Sequence, residues 1–405
     1  MNNHRMACLI GMLLMTWTGL ALNDEPRQTE EQGRAQLAAF AGTYSIREEW
    51  EARARNIREG FLREARLSPL PARCDLKPVV RGRQIRSGYT VENFAIEALP
   101  GFFMTGNLYR PTGAEPPLAG VLCPHGHARD DTPGATNPTA RGGRFLGYTQ
   151  TRAATLARMG AVVLTYDMVG WGECDQVAHE DANVLTLQVW GNMRMLDFLL
   201  SIGGVDAGRI GITGESGGGT QTFFLAALDD RIAVTVPCVQ ISAHFFGGCR
   251  CESGLPVHES STHSTNNVEL AAMAAPRPQL VISDGEDWTH NVPGVEFPYI
   301  WNVYRLYGAA GKVENAHFAD EGHDYGPSKR LAAYRFLSRH LGLNLKDVWT
   351  ACGGVDETGT VVEDKESLCV FTTRYPRPRH ALKGSDEVAA ALEKARRDGA
   401  GIPSR

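Results

Sequence analysis

The sequence predicts an α/β protein, with a mostly parallel central sheet flanked by helices, an N-terminal helical extension and a C-terminal appendage. Three observations carry this. Short, continuously apolar runs such as Leu118–Cys123, Ala161–Asp167 and Gln279–Ser283 alternate with segments of helical periodicity, the pattern of strands covered on both faces. One such run, Ile210–Thr213, passes through a glycine-rich turn straight into a helix. The chain is also long enough, at 405 residues with 43% hydrophobic, to bury one large core.

Taken in order, the elements begin with a leader. Asn2, Asn3, His4 and Arg5 make a weakly positive start, and the apolar run Met6–Ala21 stops at Leu22-Asn23-Asp24-Glu25. Such a run is short for a membrane span and suits the core of a signal peptide, with Gly19 and Ala21 as small residues at a cleavage site. Residues 1–21 are therefore expected to be removed. The mature protein would be exported, periplasmic or extracellular, with no stable membrane insertion. Cleavage takes Cys8 and leaves eight of nine cysteines. Cys123 and Cys238 fall inside apolar runs as buried thiols, and Cys352 with Cys369 is the more tempting pair in the tail. The net charge of -5 offers no basic face for nucleic acid. Oligomeric state is not written in these features.

Residues 22–88 are charged and helical, without a strand signal, and suggest a helical layer wrapped on the core. Val91–Leu99 and Phe103–Arg110, turned at Pro100-Gly101, read as a hairpin that supplies an antiparallel edge. Strand and helix then alternate. Leu118–Cys123 precedes a helix near Thr151–Met159, and Ala161–Asp167 precedes a helix marked by Leu187, Gly191, Met195, Phe198, Leu199 and Ile202, three and four residues apart. Arg209–Gly214 leads to the helix Gly217–Leu228, and Ile232–Val239 follows. Gln279–Ser283, a helix over Val295–Tyr307, the strand Val313–Phe318 and a helix over Ser328–Leu341 complete residues 89–345. Residues 346–405 lose the rhythm, apart from a surface helix over Glu387–Arg397.

The chemistry gathers at Gly214-Glu215-Ser216-Gly217-Gly218. A serine on a strained strand-to-helix turn needs glycines two residues either side, and the turn lifts its hydroxyl above the sheet. The helix N-terminus then aims backbone N–H groups at a developing oxyanion. A nucleophilic serine requires a base, and the base an orienting carboxylate. Gln279–Ser283 opens into Asp284-Gly285-Glu286-Asp287-Trp288, and Val313–Phe318 runs on to Glu321-Gly322-His323-Asp324. Both loops follow strand C-termini, where open α/β sheets place their sites. His323 is the expected base and Asp287 the expected acid, with Asp284 the alternative; His290 and His317 are rival histidines. The oxyanion donors would be the N–H of Gly217 and that of His127, in the loop Pro124-His125-Gly126-His127. His125-x-His127 lacks a companion ligand pair, and Cys249-x-Cys251 is spaced too closely for a structural zinc clasp. No metal and no cofactor are expected. Cys249, Cys251 and Glu252 are expected to shape a loop over the site, and Trp171 and Trp288 to be either sugar platforms or core.

Together the hairpin, the Pro124-His125-Gly126 loop, Asp167-Met168-Val169-Gly170-Trp171-Gly172, GESGGG, DGEDW and EGHDYG resemble the α/β-hydrolase fold of acetyl xylan esterases and dienelactone-hydrolase-like enzymes. Val239–Glu252 and the NNVELAAMAAPRP stretch are similar to exported bacterial acetyl-xylan-esterase-like members. The resemblance covers roughly residues 85–345. It implies a serine carboxylic-ester hydrolase working through an acyl-enzyme on acyl or methyl esters, of small molecules or polysaccharides, with Ser216, Asp287 and His323 at the triad positions. Glu215 stands where many acetyl xylan esterases carry glutamine, which leaves two roles open: disfavouring anionic substrates or orienting a loop. The arginine that glucuronoyl esterases place after the serine is absent, which disfavours that chemistry. Two alternatives stand beside this reading. An exported peptidase resembling prolyl oligopeptidases would need a propeller or cap for which the chain leaves little space. A non-catalytic binding protein on this fold would be expected to have lost part of the triad.

Overall fold

Nine strands make one sheet in the computed structural model, which describes residues 28–128, 142–351 and 353–400. They are β1 (Val79–Arg86), β2 (Tyr89–Leu99), β3 (Phe102–Pro111), β4 (Leu118–Pro124), β5 (Ala161–Tyr166), β6 (Val205–Glu215), β7 (Val234–Cys238), β8 (Gln279–Asp284) and β9 (Val313–Phe318). The order is β1-β2-β3-β5-β4-β6-β7-β8-β9. β1, β2 and β3 are antiparallel, as is the β3–β5 pair, and every pair from β5 through β9 is parallel. The predicted leader and Cys352 lie outside the described residues.

The strands β5, β7 and β8 are buried along their whole length, as strands with helices on both faces must be. The helices are α1 (Glu30–Ala41), α2 (Arg47–Glu64), α3 (Gly147–Arg158), α4 (Val184–Ser201), α5 (Gly217–Leu228), α6 (Arg250–Ser253), α7 (Asn267–Ala272), α8 (Glu296–Leu306), α9 (Pro327–Leu341) and α10 (Gly384–Ala400). β4 hydrogen-bonds to both β5 and β6, so the chain leaves β4 towards one side of the sheet and returns on the other. Ligands of open α/β sheets bind outside the carboxyl ends of the strands at such a switch point. The loops after β4 and β6 border it.

One expected feature is corrected. The N-terminal stretch, read as lacking strands, contains β1. Its sequence VVRGRQIR alternates half-buried and exposed residues and breaks register between Arg81 and Gln84. Charged, bulged edge strands resist edge-to-edge pairing, and the same charges hide them from a hydrophobic-pattern search. The helical part of the expectation holds: α2 buries Trp50, Ile57 and Phe61, spaced to share one face. Phe61 packs edge-on against Phe224, centroids 4.7 Å apart. Arg53 donates to Glu269 of α7 at 2.6 Å.

The tail after residue 345 belongs to the same core. Leu368 and Val370 are fully buried, and the Leu368 carbonyl accepts from Asn107 of β3 at 3.0 Å. α10 is longer than its expected counterpart and not purely a surface helix. It buries Val388, Leu392 and Ala395, and the Ala395 carbonyl accepts from the Ala72 N–H.

Candidate active site

Ser216 joins β6 to α5 with φ 53° and ψ -125°. A non-glycine residue rarely occupies that region, and strain of this kind persists where the surroundings over-determine it. The crowding is visible at the flanking glycines. A Cβ on Gly214 or on Gly218 would stand 2.5 Å from the Pro124 carbonyl oxygen, so the turn closes only because both lack one. The serine N–H is held by the Cys238 carbonyl at 3.1 Å, and its own carbonyl accepts the first α5 hydrogen bond, from Thr220. The Gly217 N–H, at the start of α5, has no intrahelical acceptor. Ser216 keeps partial solvent exposure.

The loop after β8 positions Asp287. Asp287 Oδ1 accepts from both the N–H and the hydroxyl of Thr289 at 2.5 Å, and its Oδ2 lies 2.5 Å from His323 Nδ1. Burial pushes the Asp287 carboxyl up, but the bonds from His323 and Thr289 outweigh it and leave it below the usual range. Asp284, the alternative acid, is fully buried and faces the buried Lys329 ammonium at 3.2 Å. Burial, then the neighbouring Asp287 charge, lift its carboxyl to about 6. His323 therefore meets Asp287 rather than Asp284. The His323 ring rests on Trp288, centroids 4.5 Å apart, and Trp288 packs on Phe245 at 4.1 Å. Of the rival histidines, His317 is tied to Ser283 within the sheet and His290 to the Asp287 carbonyl at the surface. Ser216 and His323 share no hydrogen bond among the described residues; such contacts commonly tighten only around bound substrate.

The loop after β4, expected to supply an oxyanion donor, lies against the turn at Ser216. A Cβ on Gly126 would be 3.0 Å from Ser216 Cβ. His125 is fully buried, its Nδ1 2.8 Å from the Gly126 carbonyl and its Nε2 accepting from the Met168 N–H at 3.2 Å. Burial depresses its imidazole to about 4, so it is neutral with both nitrogens engaged, and the His125-x-His127 metal pair is excluded. Glu215 points inward. Its carboxylate accepts from the Gly126 N–H at 2.9 Å and from Arg152 at 2.8 Å, and both side chains are almost wholly buried. Of the two roles left open for Glu215, the loop-orienting one fits this placement.

One grouping escaped the sequence reading. His127, His179, Cys249 and Cys251 bring four donor atoms within 4.8 Å of one another. His179 is not singled out by the sequence, and Cys249-x-Cys251 is discounted there as spaced too closely for a zinc clasp; the fold supplies the two histidines that complete the group. The signal present in the sequence was the Cys249-x-Cys251 pair, expected to shape a loop over the site, together with His127.

Residues 177–249 match a family model described as fungal glucuronyl esterase. A 4-O-methyl-glucuronoyl methylesterase of Neurospora crassa is 26% identical over 213 residues, 45% of this chain and 53% of that protein. The chain thus spans about half the length of that relative. Methylesterase BT1017 superposes with a TM-score of 0.82 and 38% identity, over 93% of this chain and 82% of that one. A glucuronoyl esterase from Teredinibacter turnerae shares the fold, with a TM-score of 0.53 and 14% identity over 77% of this chain and 99% of that one.

Proposed function

This chain belongs to the α/β-hydrolase family of methylesterase BT1017, and on that premise we propose that it is a serine hydrolase cleaving methyl esters of carbohydrate uronic acids. What carries the chemistry is the strained, partly exposed Ser216 at the head of α5, beside strand ends from which the Asp287-held His323 also departs. That these relatives are named methylesterases supports methyl rather than acyl esters as the substrate of this chain. The missing arginine after Ser216 places this chain apart from the glucuronoyl pattern in that detail.

In the proposed cycle Asp287 accepts a hydrogen bond from the Nδ1–H of His323 and stays ionised, leaving the unprotonated Nε2 as the base. His323 takes the Ser216 proton as the serine oxygen attacks the ester carbonyl. The carbonyl π bond breaks to an oxyanion, which the N–H groups of Gly217 and His127 receive. The C–O bond to methanol then breaks, and methanol leaves with the proton from His323. Water, deprotonated by His323, splits the uronyl-serine, freeing the uronate and restoring Ser216. Export is part of the proposal, supported by the polar Asn2–Arg5 start and the apolar Met6–Ala21 run. Among the described residues no helix is long and apolar enough to cross a membrane.

The test is a panel of a methyl uronate, methyl-esterified pectin, acetylated xylan and an aryl acetate, with Ser216→Ala run alongside. Methanol release by the wild type, lowered on the order of 10³-fold or more in the variant, is the expected result. Acetate release without methanol moves the substrate to acyl esters, and activity persisting in Ser216→Ala rejects the mechanism.

A further inference from the structure

We propose that His127, His179, Cys249 and Cys251 form a four-ligand zinc site that clasps three loops around the active site. The donors converge from separate parts of the chain. His127 lies in the loop after β4, His179 in the loop between β5 and α4, and Cys249 and Cys251 at the start of α6. His127 Nε2 stands 3.1 Å from His179 Nε2 and 3.2 Å from Cys251 Sγ. Cys249 Sγ stands 3.0 Å from His179 Nε2. A tetrahedral zinc with Zn–N near 2.0–2.1 Å and Zn–S near 2.3 Å holds its ligand atoms about 3.3–3.8 Å apart. These three separations fall about 0.2–0.6 Å short of that geometry, and all four donor atoms lie within 4.8 Å of one another.

The surroundings orient the donors. His179 Nδ1 is 2.6 Å from the Val169 carbonyl. A carbonyl only accepts, so Nδ1 carries the proton and Nε2 presents its lone pair to the cluster. His127 Nδ1 faces Glu252 Oε2 at 3.9 Å. Glu252 is itself held by Thr220 at 2.7 Å and Gln240 at 3.0 Å. A carbonyl behind His179 is how a metal-binding imidazole is fixed in tautomer and direction, and the Glu252 carboxylate lies on the Nδ1 side of His127. Trp171 packs edge-on against both rings, centroids 5.7 Å away, and His179 and Cys251 are buried. Two imidazoles and two thiolates suit zinc among the common divalent ions.

Four protein ligands leave no open position, so the ion is structural. Its place gives it a consequence for the site. A Cβ on Gly217 would be 2.4 Å from His127 Cε1, so the His127 ring abuts one proposed oxyanion donor while its backbone N–H is the other. The metal site stands without the esterase reading; its effect on turnover rests on it.

The test is elemental analysis of the full chain, followed by chelation and titration of the stripped protein with zinc and then cobalt. About one zinc per chain is expected, with cobalt giving the strong visible absorption of a thiolate-bound tetrahedral ion and zinc raising the melting temperature. His179→Gln and the Cys249→Ser/Cys251→Ser pair should bind zinc at least about tenfold more weakly, while Cys74→Ser, remote from the cluster, should bind it as the wild type does. The wild-type titration keeps the outcome readable if a variant fails to fold. Lack of zinc uptake by the wild type overturns the proposal, as do unchanged stoichiometry in the double variant and a mass lighter by a pair of hydrogens from a Cys249–Cys251 disulfide. None of these readouts depends on ester turnover, so they separate this site from the activity.

Discussion

Arg152 and Glu215 meet 2.8 Å apart with their side chains 0% and 4% exposed. The Arg152 guanidinium also lies over the Tyr325 ring at 4.4 Å. Removing one partner of such a pair leaves a charge stranded away from water, which costs far more than the intact pair contributes. Glu215→Gln should therefore destabilise the protein by about 3–5 kcal/mol, even though the glutamine carbonyl can still accept from the Gly126 N–H. Arg152→Met added to Glu215→Gln should recover most of the loss. Urea unfolding of the two single variants and the double variant measures the coupling; losses that simply add would show that the pair does not act as a unit. The same scale separates Asp284 from Asp287. Three residues apart and both carboxylates, they differ because Lys329 takes one and Thr289 with His323 takes the other.

At the scale of elements, α8 begins on a buried carboxylate. Glu296 is fully buried; one oxygen accepts from the Ala243 N–H at 3.0 Å, and the other has no hydrogen-bond partner among the described residues. Burial lifts its carboxyl from the ordinary 4.5 to about 6. The folded state then binds more protons than the unfolded chain between those values, so stability is higher in acid and falls as pH rises through that window. A shift of this size corresponds to about 2 kcal/mol. Glu296→Gln keeps the acceptor and removes the titration, so its stability relative to wild type should grow by about that amount between about pH 4 and pH 8. A difference that stays constant with pH would reject the assignment. Element placement itself was largely legible in the sequence, since seven of the eight expected strands overlap their counterparts within a residue or two, and the eighth, Arg209–Gly214, falls wholly inside the longer β6. β1 was not, because an edge strand satisfies half its hydrogen bonds with one neighbour and leaves its charged side chains in water.

For the whole molecule, Arg144 is the hub. Fully buried, it donates to Asp167 at 2.9 Å, to Glu173 at 2.7 Å and to the Leu368 carbonyl at 2.9 Å. Glu173 in turn accepts from the Val370 and Phe371 N–H groups. The tail thus closes a polar network between β3 and the loop after β5. A chain ending at residue 345 strips acceptors from a buried cation and donors from a mostly buried acid. It should lose the single cooperative melting transition, as read by calorimetry. A truncated chain melting at the full-length temperature would make the tail a true appendage.

Legible in the amino-acid order alone were the alternation of strand and helix, the strand–turn–helix around Ser216 and the chain order of Ser216, Asp287 and His323. Those features are written in periodicity and glycine spacing over a few neighbouring residues, so local physics reads them. Packing across the fold settled which aspartate meets His323, that Glu215 turns inward to Arg152, that the tail adds to the core, and that His127 gathers partners 52 and 124 residues away. These depend on which side chains burial brings together across the sheet, and a buried charge or donor finds its partner wherever the fold supplies one.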